Sequence, residues 1–187
     1  MIPSVKQCFE LMDEYEMLDN IRAHSIMVAR VAELITRHIR QNPFDLSMEL
    51  VIAGSLLHDI AKTPCLNSAC RHDREGEKIV LRHGFHEIAE IVAEHVVLQK
   101  TKPGIISEKQ IVYYADKRIN HDQVVSLDER LAYIMDRYGR DNEYRHKAIL
   151  ENFIKCQQLE AEIFARLDFK PGSVAGLIET RKSGVFD

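Results

Sequence analysis

Tryptophan is absent from this 187-residue chain, and only four cysteines occur: Cys8, Cys65, Cys70 and Cys156. They are too few and too scattered for a disulfide scaffold, and a cytosolic setting keeps such thiols reduced. No apolar run approaches the roughly 18 residues of a membrane-spanning helix, and Met1-Ile2-Pro3-Ser4-Val5-Lys6-Gln7 lacks the basic-then-apolar start of a signal peptide. A cytoplasmic protein is expected. There is no long Lys/Arg block, and 25 basic against 29 acidic residues leave a net charge of −4, so nucleic acid and anionic membrane are not expected partners. What is plentiful is histidine, with nine residues. At this length one domain is the default, since a chain of about 150 residues already buries roughly 68–70% of its unfolded surface.

Apolar residues recur at three- and four-residue steps almost throughout, which predicts an all-α, single-domain bundle of about eight or nine helices. Helices are expected over about 5–17, 20–40, 46–61, 72–82, 86–98, 107–119, 126–138, 142–167 and 173–181. The second is amphipathic through Ile21, Val28, Val31, Leu34 and Ile35, and Asn42-Pro43 should end it. The third is hydrophobic nearly all round and should be central. Ser107-Glu108-Lys109-Gln110 and Ser126-Leu127-Asp128-Glu129 have capping-box spacing. Lys102-Pro103-Gly104 is a break, and no strand-like alternation, repeat or low-complexity tract stands out.

The most informative segment is Leu56-Leu57-His58-Asp59-Ile60-Ala61-Lys62. Burying an adjacent His and Asp is expensive unless the pair is hydrogen-bonded or bound to metal. At a helix C-terminus both side chains can turn toward a cation sitting off the end. His24 falls on the inward face of its helix, between Ile21 and Val28, and Asp116 follows another apolar helical stretch. Four N/O groups from three helices would make a shell with open coordination positions, suited to Zn, Fe, Mn or Ni. His72 and His95 can extend it to a second metal, with Asp59 bridging.

The order His24, His58-Asp59, Asp116 resembles the HD-domain superfamily of metal-dependent phosphohydrolases, over about residues 20–130, with a helical extension over about 140–187. The resemblance implies an all-α fold and a divalent metal on His24, His58, Asp59 and Asp116. His72-Asp73-Arg74-Glu75-Gly76 and Ala93-Glu94-His95 are similar to an extended branch in which two further histidines complete a dinuclear, often iron-containing centre. That branch includes hydrolases of symmetrical dinucleoside tetraphosphates and of cyclic dinucleotides. The Gly-Tyr-Pro signature of the cyclic-dinucleotide enzymes does not occur here, which argues against that substrate.

The expected function is therefore hydrolysis of a small phosphorylated substrate, a nucleotide or another phosphoester or phosphoanhydride, by metal-activated water. Asp59, Asp116 and Lys62 are the candidate catalytic residues; Lys62, Arg71, Arg74 and Lys117 are the candidate phosphate contacts. Each cation has a plainer reading: Lys62 as a helix C-terminal charge favoured by the dipole, and Arg71, Arg74 and Lys117 as solvated charges. Arg130 is expected to pair with Asp128 or Glu129. Tyr133, Met135 and Tyr138 read as core packing and rim. Cys65, Cys70 and His72 make only a weak zinc motif, because a closed structural site takes four ligands. His83 and His86 read as loop histidines, and His38, His121 and His146 as surface. Two alternatives stand beside the hydrolase: a non-catalytic nucleotide-binding or sensor module, which loss of any of the four ligand positions would favour, and a dinuclear-iron oxygenase. Homo-oligomerisation is left open.

Overall fold

The computed structural model describes residues 1–40, 45–99, 101–102, 104–140 and 142–180. Among them lie nine α-helices: α1 (Val5–Glu14), α2 (Asp19–His38), α3 (Met48–Leu57), α4 (His72–Arg82), α5 (His86–Glu94), α6 (Glu108–Lys117), α7 (Leu127–Ile134), α8 (Glu143–Phe164) and α9 (Val174–Thr180). A short antiparallel hairpin, β1 (Ile119–Asn120) and β2 (Gln123–Val124), joins α6 to α7 with Ile119 opposite Val124. No helix among the described residues is long and apolar enough to cross a membrane.

Both expected capping boxes form. Ser107 N–H donates to Gln110 Oε1 at 3.0 Å, and Ser126 N–H to Glu129 Oε2 at 2.8 Å while Glu129 N–H returns to Ser126 Oγ at 3.2 Å. The apolar α3 buries every residue from Val51 to Leu57 and packs on α1, α2, α5 and α6. It stands with α2 between two cores. One is built with α6, α8 and α9, the other with α1, α4 and α5. Arg118, buried just after α6, donates to Val125 O at 2.6 Å and Pro171 O at 3.1 Å and lies 3.3 Å from Glu160 Oε2. It ties the hairpin to α8 and to the turn before α9.

Regular helix stops a full turn, four residues, earlier than expected in three places, each near the candidate site. α3 ends at Leu57 rather than about Ala61, because the next backbone bonds span three residues: Ile60 N–H to Leu57 O at 3.1 Å and Lys62 N–H to Asp59 O at 2.8 Å. α5 ends at Glu94 rather than about Leu98, and α7 gives way at Ile134 to a π turn over Met135–Gly139. The hairpin escaped the sequence reading because two residues per strand carry no alternation. The boundaries expected at Asn42-Pro43, Pro103 and Arg181 lie outside the described residues.

The expectation of four reduced cysteines is corrected. The turns after α3 bring the Cα atoms of Cys65 and Cys70 to 5.5 Å, and the two are joined in a disulfide, which also removes them from any zinc motif. Cys8 and Cys156 are buried free thiols, and burial pushes both up to about 12, so they stay protonated and unreactive in the fold. Alkylation followed by mass spectrometry should therefore label no cysteine in the folded protein, two after unfolding without reductant, and all four after reduction. Four labelled cysteines without reductant would contradict the disulfide.

Candidate metal centre

The ionisable residues singled out in the sequence converge at helix ends. His58 and Asp59 follow α3, His72 opens α4, His95 follows α5, Asp116 is the penultimate residue of α6, and His24 lies in the second turn of α2. All are buried except His72, which is half-buried. The approach of α4 to α5 depends on Gly76, where a Cβ would meet Val92 Cγ1 at 2.8 Å. That close packing lets His72, one turn earlier, reach His95: their Nε2 atoms are 3.2 Å apart.

Backbone carbonyls fix the tautomers of three imidazoles. His58 Nδ1 donates to Ser55 O at 2.7 Å, His95 Nδ1 to Val92 O at 2.7 Å, and His24 Nδ1 to His121 O at 2.9 Å. A carbonyl only accepts, so each Nδ1 carries its proton, and in the neutral ring each Nε2 keeps a lone pair. This is the arrangement by which outer hydrogen bonds orient metal-binding histidines. The hairpin contributes the third of these carbonyls, from His121, a residue at φ 55.

All three Nε2 atoms face the carboxylates. Asp59 divides its oxygens: Oδ2 lies 3.3 Å from His58 Nε2 and 3.9 Å from His24 Nε2, while Oδ1 lies 3.4 Å from His72 Nε2 and 3.5 Å from His95 Nε2. Asp116 Oδ1 is 2.9 Å from His24 Nε2 and 3.6 Å from His58 Nε2. Two groups capable of holding a metal ion result, His24–His58–Asp59 and Asp59–His72–His95, with potential ligand atoms in each within 4.8 Å of one another. Two of these atoms, His58 Nε2 and Asp59 Oδ1, are buried without any hydrogen-bond partner. A buried unsatisfied polar atom costs about 1–3 kcal/mol, more when charged. A divalent cation bound by N and O donors removes that cost, so the residues present fit one.

The electrostatics point the same way. Burial opposes the charge on Asp59, but Lys62, with Nζ 2.7 Å from Oδ2, and His58 hold its carboxyl well below the usual range. Burial likewise opposes the charge on Asp116, which Lys117 at 2.7 Å and His24 keep well below that range. Burial alone would lower His58, yet Asp59 and Asp116 push it up to about 9. Burial lowers His72 to about 4 and also lowers His95. The two carboxylates thus draw positive charge to the space beside His58, while burial keeps the His72–His95 pair neutral.

A cleft of about 480 Å3 opens over these residues. Lys62 lines it. Lys117 touches it but is buried, its ammonium committed to His95 O at 2.7 Å and to Asp116. Arg71 and Arg74 lie outside it: Arg71 is bound to Asp73 Oδ1 at 3.2 Å and Arg74 to Glu77 at 3.2 Å. Arg130 does line the cleft and does not pair as expected, because Glu129 is engaged by its capping box and Asp128 by Gln157 at 3.3 Å. It donates instead to Asn120 Oδ1 at 2.9 Å. Arg137 and Arg145 also line the cleft and were not singled out; only helical spacing along α7 and α8 could have suggested them. His83 meets Tyr15 Oη at 3.1 Å, His38 donates to Leu34 O at 2.8 Å, and His86 and His146 are exposed.

The HD-domain family model matches residues 21–141, and the chain belongs to that family of metal-dependent phosphohydrolases. It is 26% identical over 148 residues to the uncharacterized protein MJ0778 of Methanocaldococcus jannaschii, an alignment covering 72% of this chain and 86% of that protein. No solved structure matches significantly.

These shifts set a pH profile for chelator-treated protein. Asp59 and Asp116 stabilise the fold above an unfolded value of 3.8 and cease to do so as pH falls through their lower folded values. His72 and His95 stay neutral in the fold, so stability is lost as pH falls below 6.5 and through their lowered folded values, about 4 for His72. His58 contributes fully below 6.5 and loses its contribution as pH rises through about 9. Unfolding free energies from urea titration should peak near pH 6.5 and decline on the alkaline side by at most about 1.4 kcal/mol per pH unit for this one proton. A flat profile from pH 6.5 to 9 would contradict the charge assigned to His58.

Proposed function

We propose that this chain hydrolyses a phosphoester or phosphoanhydride of a small phosphorylated substrate, a nucleotide among them, with the help of one or two divalent transition-metal ions. The observation that carries the reading is the division of Asp59. Its two buried oxygens face two separate groups of histidines, and His58 Nε2 and Asp59 Oδ1 have no other partner. His24, His58, Asp59 and Asp116 would hold one ion, and Asp59, His72 and His95 a second, with iron, manganese, zinc and nickel all suited to imidazole and carboxylate donors. When bound, such an ion supplies a Lewis acid for the phosphoryl oxygens and lowers the pKa of a water molecule toward neutrality.

The protein's own groups supply the rest. Asp116, held as a carboxylate by Lys117 and His24, only accepts hydrogen bonds and can orient a water at the cleft floor. Lys62 spends one N–H on Asp59 Oδ2 and lines the cleft, leaving its other donors for phosphoryl oxygens; Asp59 raises its pKa against the effect of burial, so it stays charged. Arg71 and Arg74 take no part in this reading, since both lie outside the cleft. A small phosphorylated substrate, rather than nucleic acid or membrane, suits an enclosed group of ionisable residues in a chain of net charge −4.

Asp59→Ala should remain helical by circular dichroism, lose bound metal, and lose at least about 100-fold in turnover on the best substrate of a phosphoester and nucleotide panel, more than outer-shell changes typically cost. Lys62→Ala should keep its metal and show a smaller loss. Near wild-type turnover in Asp59→Ala would end the metal-hydrolase reading.

A further inference from the structure

The sign of charge in the cleft is the reverse of the chain's. Among the described residues, its lining carries Lys62, Lys117, Arg130, Arg137 and Arg145 against Asp59 and Asp116. Each of those aspartates already has a lysine at 2.7 Å. Among the described residues, Arg130, Arg137 and Arg145 form no ion pair with a carboxylate. Arg130 donates to Asn120 and Arg137 to Tyr133 Oη at 3.2 Å, while Arg130 Nε is buried with no hydrogen-bond partner. Arg130 also lies close enough to Lys62 to oppose its charge. Among the described lining residues the cations outnumber the acids five to two, and such an excess creates a positive potential that calls for an anion.

Two of the three arginines, Arg130 and Arg137, are held in place. Arg130, Tyr133, Ile134, Arg137 and Tyr138 line the cleft from one face of α7 and its π turn, at steps of three, four, seven and eight. The Arg130 guanidinium sits 5.5 Å from the Tyr133 ring centre and that of Arg137 5.6 Å from the Tyr138 ring centre, so both planar forks are oriented by aromatic neighbours. Arg145, Ile149 and Phe153 line the cleft from α8, which packs on α7 and the π turn and lies beyond the residues matched by the family model.

We propose that Arg130, Arg137 and Arg145 form an anion-binding arm for a further phosphate of the substrate, so that this chain selects molecules bearing two or more phosphates over monophosphates. The proposal rests on the phosphohydrolase reading for the position of the scissile group at Asp59, and adds that specificity is set by the arginines that α7, its π turn and α8 bring to the cleft. One phosphate at the histidine-lined floor would leave the arm uncompensated. A chain of phosphates, or two phosphates on one scaffold, reaches both, and planar guanidinium groups suit bidentate contact with phosphate oxygens.

The test is calorimetric titration of the metal-loaded full chain, in excess magnesium, with the methylene-bridged analogue of tripolyphosphate and with orthophosphate. Neither probe is hydrolysed, and magnesium keeps the first from stripping the site. The wild type should bind the tripolyphosphate analogue at least about tenfold more tightly than orthophosphate, in keeping with the added strength of charge-assisted contacts. The Arg137→Ala, Arg145→Ala double variant, whose side chains are exposed, should retain metal content and thermal stability while its preference falls to within about twofold; the Arg137→Lys, Arg145→Lys variant should regain part of it. Equal binding of the two probes by the wild type, or an undiminished preference in the alanine variant, would overturn the proposal. The preference confirmed in a protein that hydrolyses no phosphorylated compound would uphold the arm and refute the hydrolase, so the two failures are distinguishable.

Discussion

A carboxylate buried in a ring of histidines persists only where positive charge reaches it, and Asp59 stands in that position at the hub of this fold. Lys62 neutralises one of its oxygens from the cleft side, His24 and His58 approach that same oxygen from the floor, and His72 and His95 approach the other. The placement of α3, α4 and α5 follows from it. α3 must stop at Leu57 for His58 and Asp59 to turn together, and Gly76 must stay small for α4 to bring His72 against His95. The apolar bulk of α3, buried between two cores, anchors the hub and makes a cluster of ionisable groups at its end tolerable.

Much of this was legible in the sequence, for physical reasons that can be named. Helical periodicity carried the fold, and the capping boxes at Ser107 and Ser126 placed the starts of α6 and α7. His58-Asp59 at the end of an apolar helix announced itself by the cost of burying it, and His24, Asp116, His72 and His95 do converge on it. What the sequence hid depends on distance across the fold. Arg71 and Arg74 are near His72 along the chain yet face away from the cleft, each satisfied by a carboxylate two or three residues on. Arg137 and Arg145 are remote in sequence and face into it. The disulfide between Cys65 and Cys70 depends on how the turns after α3 fold back, and the two-residue strands have no period to read.

The division of labour follows the architecture. Helix ends and carbonyls of Ser55, Val92 and His121 hold the imidazoles in one tautomer, so the orientation of the candidate ligands is built into the backbone. The outer cleft is made by α7, its π turn and α8, where side chains are less buried and free to differ without disturbing the hub. A π turn at such a place is common near functional sites.

Diffraction from crystals of the zinc-loaded full chain, recorded at the zinc absorption edge, tests the central claim most directly. The account predicts an anomalous peak about 2.0–2.2 Å from His58 Nε2 and an Asp59 oxygen, with a second peak between His72, His95 and the other Asp59 oxygen where both sites fill. No peak beside Asp59, with His58 Nε2 and Asp59 Oδ1 hydrogen-bonded to each other or to water, would contradict it.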